Sequence, residues 1–476
     1  MARFSSVDNF AAESPINLTA IYDSRSTILI FIMTIARTIC IGFLALIAIG
    51  TLLLMMPFAT ATGTWNNFIV ALFTSTSAVC VTGLAVVDTG SYFSFWGQLT
   101  ILLLIQVGGL GYMMTTTFLI LLLGRKFDLR QKFAIQESFD RPFLQGSNNL
   151  VRSIVATTMI FEITGIFLLL LTFVPESGWS QGLWYSVFHS ISAWNNAGFS
   201  LFSDSLVGYR SNWGINLVIP ALVIFGGIGY QVIIEMYLWL LNVIKRKTER
   251  FCFSLNFKVV VSTTILLLIV GTVAFFLTEL NNPATLAPLS FEDKFLAAWF
   301  QSMSTRTAGF NSIDLGKMTT AGLFITMGFM FIGASPSGTG GGIKTTTFRI
   351  MYNSTKSVLQ GKNEVILYQR EVPSTLILKA VAVVFGTAAS IVFITIIIAS
   401  IETEINFLPI LFEVISAFAT VGLSTGITGT LAIASKIMLV FAMYVGRVSI
   451  LILIAAIIGD PSPSSLQYPE ENLLVG

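Results

Sequence analysis

The sequence predicts an all-α membrane protein of four helix, pore-loop, helix units, with eight spanning helices and four re-entrant pore helices around a pseudo-fourfold pore. Three observations lead there: long apolar runs, the placement of the basic residues, and a repeat that recurs about every quarter of the chain. Of 476 residues, 54% are hydrophobic and 11% charged, and the mean hydropathy is +0.83. A water-soluble domain does not have this composition, so most of the protein sits in lipid. Runs 27–57, 98–123, 153–174, 214–243, 259–278 and 429–459 each cover the ~20 helical residues that a hydrocarbon core requires. A spanning segment must satisfy its own backbone, which selects helices.

Net charge is only +2, yet the basic residues cluster in three loops. Arg125, Lys126, Arg130, Lys132, Arg141 and Arg152 lie in the first, Lys245, Arg246, Lys247, Arg250 and Lys258 in the second, and Lys356, Lys362, Arg370 and Lys379 in the third. Positive residues flanking membrane helices stay on the cytoplasmic side. Asp88, Glu176, Asp204, Glu279, Glu402 and Glu404 mark the opposite, outer connections, and both termini come out cytoplasmic. The basic loops are short, abut membrane helices and lack interleaved aromatics, so nucleic-acid binding is excluded. Cys40, Cys80 and Cys252 have no metal spacing and imply no disulfide framework. The first apolar run has no small-residue cleavage site followed by a polar chain, and reads as a retained helix.

Four stretches repeat: FTSTSAVCVTGL from Phe73, FHSISAWNNAGF from Phe188, WFQSMSTRTAGF from Trp299 and FEVISAFATVGL from Phe412. Each places an aromatic residue ten positions before a glycine. Gly83, Gly198, Gly309 and Gly422 follow one another at 115, 111 and 113 residues. The stretch before each glycine is too short to span and lies on the outer side, so it enters the membrane and returns. The units then run 27–124, 153–244, 259–352 and 374–459, with cytoplasmic end segments 1–26 and 460–476. Gly108-Gly109-Leu110-Gly111-Tyr112 and Gly226-Gly227-Ile228-Gly229-Tyr230 echo each other in the second helices of units one and two, where close helix packing explains them most simply.

Extended backbone at membrane depth is tolerated where it lines a water-filled cavity, and four such segments around one axis would do so. Their carbonyls would form rings able to replace the hydration shell of a potassium ion, at positions where glycine is the least strained residue. No carboxylate flanks the glycines, so a divalent-selective acidic ring is unsupported. The neighbouring residues Val81 and Thr82, Asn196 and Ala197, Thr307 and Ala308, and Thr420 and Val421 differ among units and predict an unequal filter. In unit three, GLFITMGFMFIGASPSGTGGGIKTTTF interrupts the second helix with Gly333, Pro336, Gly338, Gly340, Gly341 and Gly342. Such a density of glycine and proline does not stay helical. The spacing is not that of a phosphate loop, and no strand precedes it. Only this one second helix is expected to break.

The glycine segments and this interruption resemble the Trk/Ktr/HKT superfamily of potassium transporters, over nearly the whole chain. The absence of extra N-terminal spanning helices resembles the Ktr type. The resemblance implies four membrane, pore-loop, membrane units, potassium as the transported ion with sodium as a possible activator, no covalently bound cofactor, and no enzyme activity. Gly83 favours potassium, since some sodium-selective members carry serine there. It also implies a bacterial inner-membrane location, a homodimer, and a cytoplasmic nucleotide-binding regulatory subunit, for which loops 125–152 and 245–258 are candidate contacts beside their role as membrane anchors. Gly338, Thr339, Gly340, Gly341, Gly342 and Lys344 carry over as an intramembrane gate, against the simpler reading of a kink. Arg447, within FAMYVGRVSILILI, carries over as a barrier or latch beside it, against a purely structural arginine.

Arg306 stands inside the third glycine segment and is expected to turn away and pair with a carboxylate or carbonyl. Glu162, Glu235 and Glu413 are candidates for that pairing or for a sodium or proton site, and His189, the single histidine, is a packing residue. The competing functions are a sodium-conducting relative, a sodium- or proton-coupled secondary transporter, which paired broken helices would favour, and an enzyme, for which no nucleophile and base arrangement exists.

Overall fold

A computed structural model describes residues 34–111, 147–246 and 251–459. The end segments 1–26 and 460–476, most of loop 125–152 and part of loop 245–258 lie outside them. Unit one comprises α1 (Ile35–Met55), a short pore helix α2 (Phe68–Val79) and α3 (Phe95–Leu110). Side chains fix the helix starts: Asn67 accepts from the Ile69 amide at 2.8 Å and Ser94 from the Gly97 amide at 3.2 Å. In unit two one helical stretch, α4 (Ser147–Trp194), covers both the outer and the pore helix, divided at Gly178 by a φ of 76°. α5 (Trp213–Ile228) and α6 (Tyr230–Ile244) complete it.

Unit three has α7 (Leu255–Glu279), pore helix α8 (Phe291–Ser304), α9 (Thr320–Phe331) and α10 (Thr345–Leu359). A two-stranded hairpin of β1 (Ile366–Leu367) and β2 (Arg370–Glu371) leads into unit four, α11 (Ser374–Ile401), pore helix α12 (Phe407–Phe418), α13 (Ile433–Val448) and α14 (Ile450–Ile458). Among the described residues α1, α4, α7 and α11 are long and apolar enough to cross a membrane, and the bent pairs α5/α6 and α13/α14 raise the number to six. Their outward faces carry large apolar side chains, among them Leu171 (74% exposed) and Phe385 (75% exposed), as lipid contact demands.

The expectation that only one second helix breaks is corrected. α5 and α6 meet at 103° and α13 and α14 at 91°, and α3 ends at Gly111. Each break is a single left-handed residue: Gly111 at φ 77°, Gly229 at φ 94° and Ser449 at φ 77°. All three lie three residues after a glycine that packs on a pore helix, Gly108 on Val79 O, Gly226 on Trp194 O and Gly446 on Phe418 O. A methyl group at any of the three would enter that carbonyl. Close packing therefore accounts for half of each glycine echo and a chain break for the other half.

The later turns of the pore helices are buried. Phe73, Phe188 and Phe412 are fully buried, and in unit three the matching residue is Phe300, not Trp299. That segment is one residue shorter between its aromatic residue and its glycine. Two residues after each of Phe73, Phe188 and Phe300, a serine hydroxyl donates to an outer-helix carbonyl: Ser75 to Ile47 O (2.8 Å), Ser190 to Glu162 O (2.7 Å) and Ser302 to Leu268 O (2.9 Å). Gly50, Gly165 and Gly271 leave the space that those serines fill.

Candidate functional site

The four pore helices end at Val79, Trp194, Ser304 and Phe418, four or five residues before their glycines. Helix C-termini carry partial negative charge, which favours a cation near them. Beyond each end the backbone repeats one alternation. Val81, Asn196, Thr307 and Thr420 have φ of 50°, 56°, 61° and 51°, and Gly83, Gly198, Gly309 and Gly422 have φ of 91°, 68°, 76° and 90°. A left-handed non-glycine residue costs about 1–2 kcal/mol. Backbone hydrogen bonds from the residue between hold this conformation: Thr82 N donates to Ser77 O, Ala197 N to Ser192 O and Val421 N to Ser416 O at 2.8 Å each, and Ala308 N to Ser304 O at 3.1 Å.

The four segments close a ring. A Cβ on Gly83 would lie 2.5 Å from Ala197 O, one on Gly198 2.7 Å from Ala308 O, and one on Gly309 2.6 Å from Val421 O. A Cβ on Gly422 would strike Thr82 O, returning to the first unit. Each glycine thus faces the carbonyl that precedes the next glycine, in the order of the chain. Thr82, Ala197, Ala308 and Val421 thus each place a carbonyl oxygen against the glycine of the neighbouring segment, and a ring of carbonyls can stand in for water around a monovalent cation.

In units two and four, side chains tether the segment that follows the glycine. Glu413, 1% exposed, accepts from Ser424 Oγ (2.7 Å), Thr425 N (2.9 Å) and Thr428 Oγ1 (2.8 Å). His189 occupies the equivalent place in unit two, with Nε2 3.0 Å from Ser200 Oγ and Nδ1 2.8 Å from Tyr185 O. Ser200 and Ser424 each lie two residues after their glycine, a signal present in the sequence but unread there.

The expected pairing of Arg306 is not formed. Its guanidinium is buried, Nε has no partner, and Lys317 with Asp314 is the ion pair found among the described residues. Glu162 lies against Asn195 Nδ2 (3.3 Å), Glu235 accepts from Ser254 N (3.0 Å) and Oγ (2.7 Å) at the start of α7, and Glu413 serves the tether described above.

Between α9 and α10 the chain passes directly beneath the ring. Gly340 abuts Thr307 Oγ1 and Gly341 abuts Thr420 Oγ1, so the loop touches glycine segments three and four. The Asn196 amide nitrogen faces Thr339 Oγ1 at 2.9 Å, adding segment two. Because α5 stops at Gly229, its last carbonyls have no helical donors. The loop supplies them: Ser335 N donates to Gly227 O at 2.9 Å and Thr339 N to Gly226 O at 3.1 Å, while Tyr230 N returns a bond to Ser337 O at 3.1 Å.

Arg447 adds a donor at the end of α3, where the Gly111 amide also donates to Gly108 O at 3.2 Å. Its guanidinium donates to Gly108 O and, from its other nitrogen, to Thr339 O in the loop. Lys344 Nζ donates to Gly340 O at 2.8 Å. Both cations, with Gly338 to Gly342, line a cavity of about 320 Å³ that also meets Gly109, Gly111 and Tyr230. Arg447 follows Gly446 as Gly109 follows Gly108 and Gly227 follows Gly226, so unit four carries a charge where units one and two carry glycine.

A family model described as TrkH, cation transport protein, matches residues 25–468. The chain is 39% identical to Ktr system potassium uptake protein B of Bacillus subtilis, covering 92% of this chain and 96% of that one. It is 38% identical to the protein of the same name from Vibrio alginolyticus (92% and 94% covered) and 35% identical to potassium/sodium uptake protein NtpJ of Enterococcus hirae (92% and 97% covered). The crystal structure of the potassium transporter TrkH from Vibrio parahaemolyticus superposes with a TM-score of 0.64 at 17% identity over 88% of this chain and 85% of that one, which establishes the shared fold. On the family match and these full-length relatives, the protein is an all-helical, multi-pass membrane protein and belongs to the TrkH family of cation transport proteins, which are transporters and not enzymes.

Proposed function

We propose that this chain takes up potassium through a gated pore, with the carbonyls of Thr82, Ala197, Ala308 and Val421 as the filter level and the loop Gly338 to Lys344, latched by Arg447, as the gate. The observation that carries the reading is the closed ring of glycine-to-carbonyl contacts. The loop position supports the gate, because the loop lies against glycine segments three and four and shares its cavity with Lys344 and Arg447. A monovalent cation about 8 Å from one guanidinium is repelled by about 2 kcal/mol at an effective dielectric of 20. The names of the relatives from Bacillus subtilis and Vibrio alginolyticus support potassium as the ion.

In this reading each unit crosses twice, making eight crossings with both termini cytoplasmic, and the units keep the bounds 27–124, 153–244, 259–352 and 374–459. The short helix α9 counts as a crossing because α10 follows its break, α3 counts as one by its equivalent place in the repeat, and the three basic loops support the orientation. We take the assembly to be a homodimer in the bacterial inner membrane on a cytoplasmic nucleotide-binding subunit, since the relatives are named as components of a Ktr system. Uptake depends on sodium in this reading. A sodium-conducting pore is the second reading, favoured by the name of the Enterococcus hirae relative.

Growth at low potassium of cells lacking their own uptake systems, with and without sodium and with the partner subunit co-expressed, tests both. Rescue by this chain is expected. No rescue, with the protein present in the membrane, overturns the potassium reading, and sodium influx without potassium influx selects the second.

A further inference from the structure

Arg306 leaves a positive charge unaccounted for at the back of filter segment three. The residue is 8% exposed, its Nε has no hydrogen-bond partner, and no carboxylate among the described residues pairs with it. It opens onto a cavity walled by α5 and α7, in which the centre of a water-sized particle has about 10 Å³ to move. Thr264 lines the same cavity, and its hydroxyl is also buried without a partner. Asn196 forms part of the wall, so the cavity lies between filter segments two and three. The remaining lining is apolar or glycine, with Met303, Leu268, Gly227 and Ala334 among it.

We infer that this cavity is a binding site for a single monatomic anion, a halide such as chloride, held by the Arg306 guanidinium and the Thr264 hydroxyl. A buried cation needs a partner of opposite sign or extensive hydrogen bonding, and the protein provides neither. A water molecule would solvate the guanidinium but leave its charge in place next to Thr307, where a cation must pass. A monoanion cancels that charge. The cavity has room for one atom-sized occupant and excludes phosphate, sulfate or carboxylate ligands. The inference goes beyond the transport reading and does not depend on which cation is carried.

The test uses the full-length protein in lipid nanodiscs, with potassium and ionic strength constant and chloride, bromide or gluconate as the anion. Chloride and bromide are expected to raise the unfolding midpoint saturably by a few degrees over gluconate, and Arg306→Met is expected to abolish that rise, with Thr264→Val weakening it. Crystals grown in bromide should show an anomalous peak between Arg306 and Thr264. That measurement needs no variant, so it stands if Arg306→Met does not fold. Absence of the peak overturns the inference, and so does a halide effect of equal size in wild type and Arg306→Met.

Discussion

Arg447 joins the bend in the last helix to the loop between α9 and α10 through a hydrogen bond from its guanidinium to Thr339 O, while its other nitrogen reaches Gly108 O. One side chain from unit four thereby holds the loop of unit three against the helix end of unit one. Gly108 O also accepts from the Gly111 amide at 3.2 Å, so the contact that depends on this residue is the one to the loop.

Replacing Arg447 by alanine should weaken the closed state. A hydrogen bond from a charged group contributes about 1.5–3 kcal/mol, and a loss of about 2 kcal/mol raises a minor open population about 30-fold. Potassium flux into proteoliposomes should rise accordingly. Lysine at this position keeps the charge but not the two-pronged geometry, and should give an intermediate flux. Flux equal to wild type in both variants would remove the latch.

Deletion of residues 338–342 should also raise flux, because it removes the glycines that abut Thr307 and Thr420. It removes Thr339 as well. Adding Arg447→Ala to the deletion should therefore change little, a non-additivity expected of two parts of one contact. If the two effects multiply, loop and arginine act separately.

Gly83→Ser should lower discrimination of potassium over sodium, since the new Cβ would lie 2.5 Å from the Ala197 carbonyl and the residue is held at φ 91°. The same change at Gly422 should be more damaging, because its Cβ drives further into Thr82 O. The measurement is the ratio of rubidium to sodium uptake in the reconstituted protein. Equal ratios in wild type and both variants would show that these glycines do not shape the ring.

Glu413→Ala should remove the shared acceptor of half-buried Ser424 and Thr425 and of buried Thr428, leaving the two hydroxyls of Ser424 and Thr428 only each other at 2.9 Å, a loss of about 1–3 kcal/mol. A lower unfolding midpoint and reduced ion discrimination are expected together. Glu413→Gln keeps an acceptor oxygen and should be milder in both. A stability loss with unchanged discrimination would assign the glutamate to folding alone.

The ring was legible in the sequence because four glycines recur at nearly equal spacing, and the loop because Gly333 to Gly342 crowds breakers into one place. The other breaks were not. At Gly229 and Ser449 a single left-handed residue turns the chain by 103° and 91°, and one glycine or serine in an apolar run gives no compositional signal. The register of unit three was hidden by adjacent aromatics, Trp299 and Phe300. Ser302, two residues after Phe300 as Ser75 is after Phe73, would have resolved it. For Arg306 the sequence named the charge correctly but offered no way to see that Glu162, Glu235 and Glu413 were already engaged elsewhere.

Arg447 stands where its counterparts in units one and two are Gly109 and Gly227. In a channel assembled from identical subunits, any charge written into that helix would be copied at every corner, and several guanidiniums would converge on the axis. Carrying all four units on one polypeptide frees evolution from that symmetry. A charge can then be written into one corner and left out of the others, as Arg447 stands opposite Gly109 and Gly227 here.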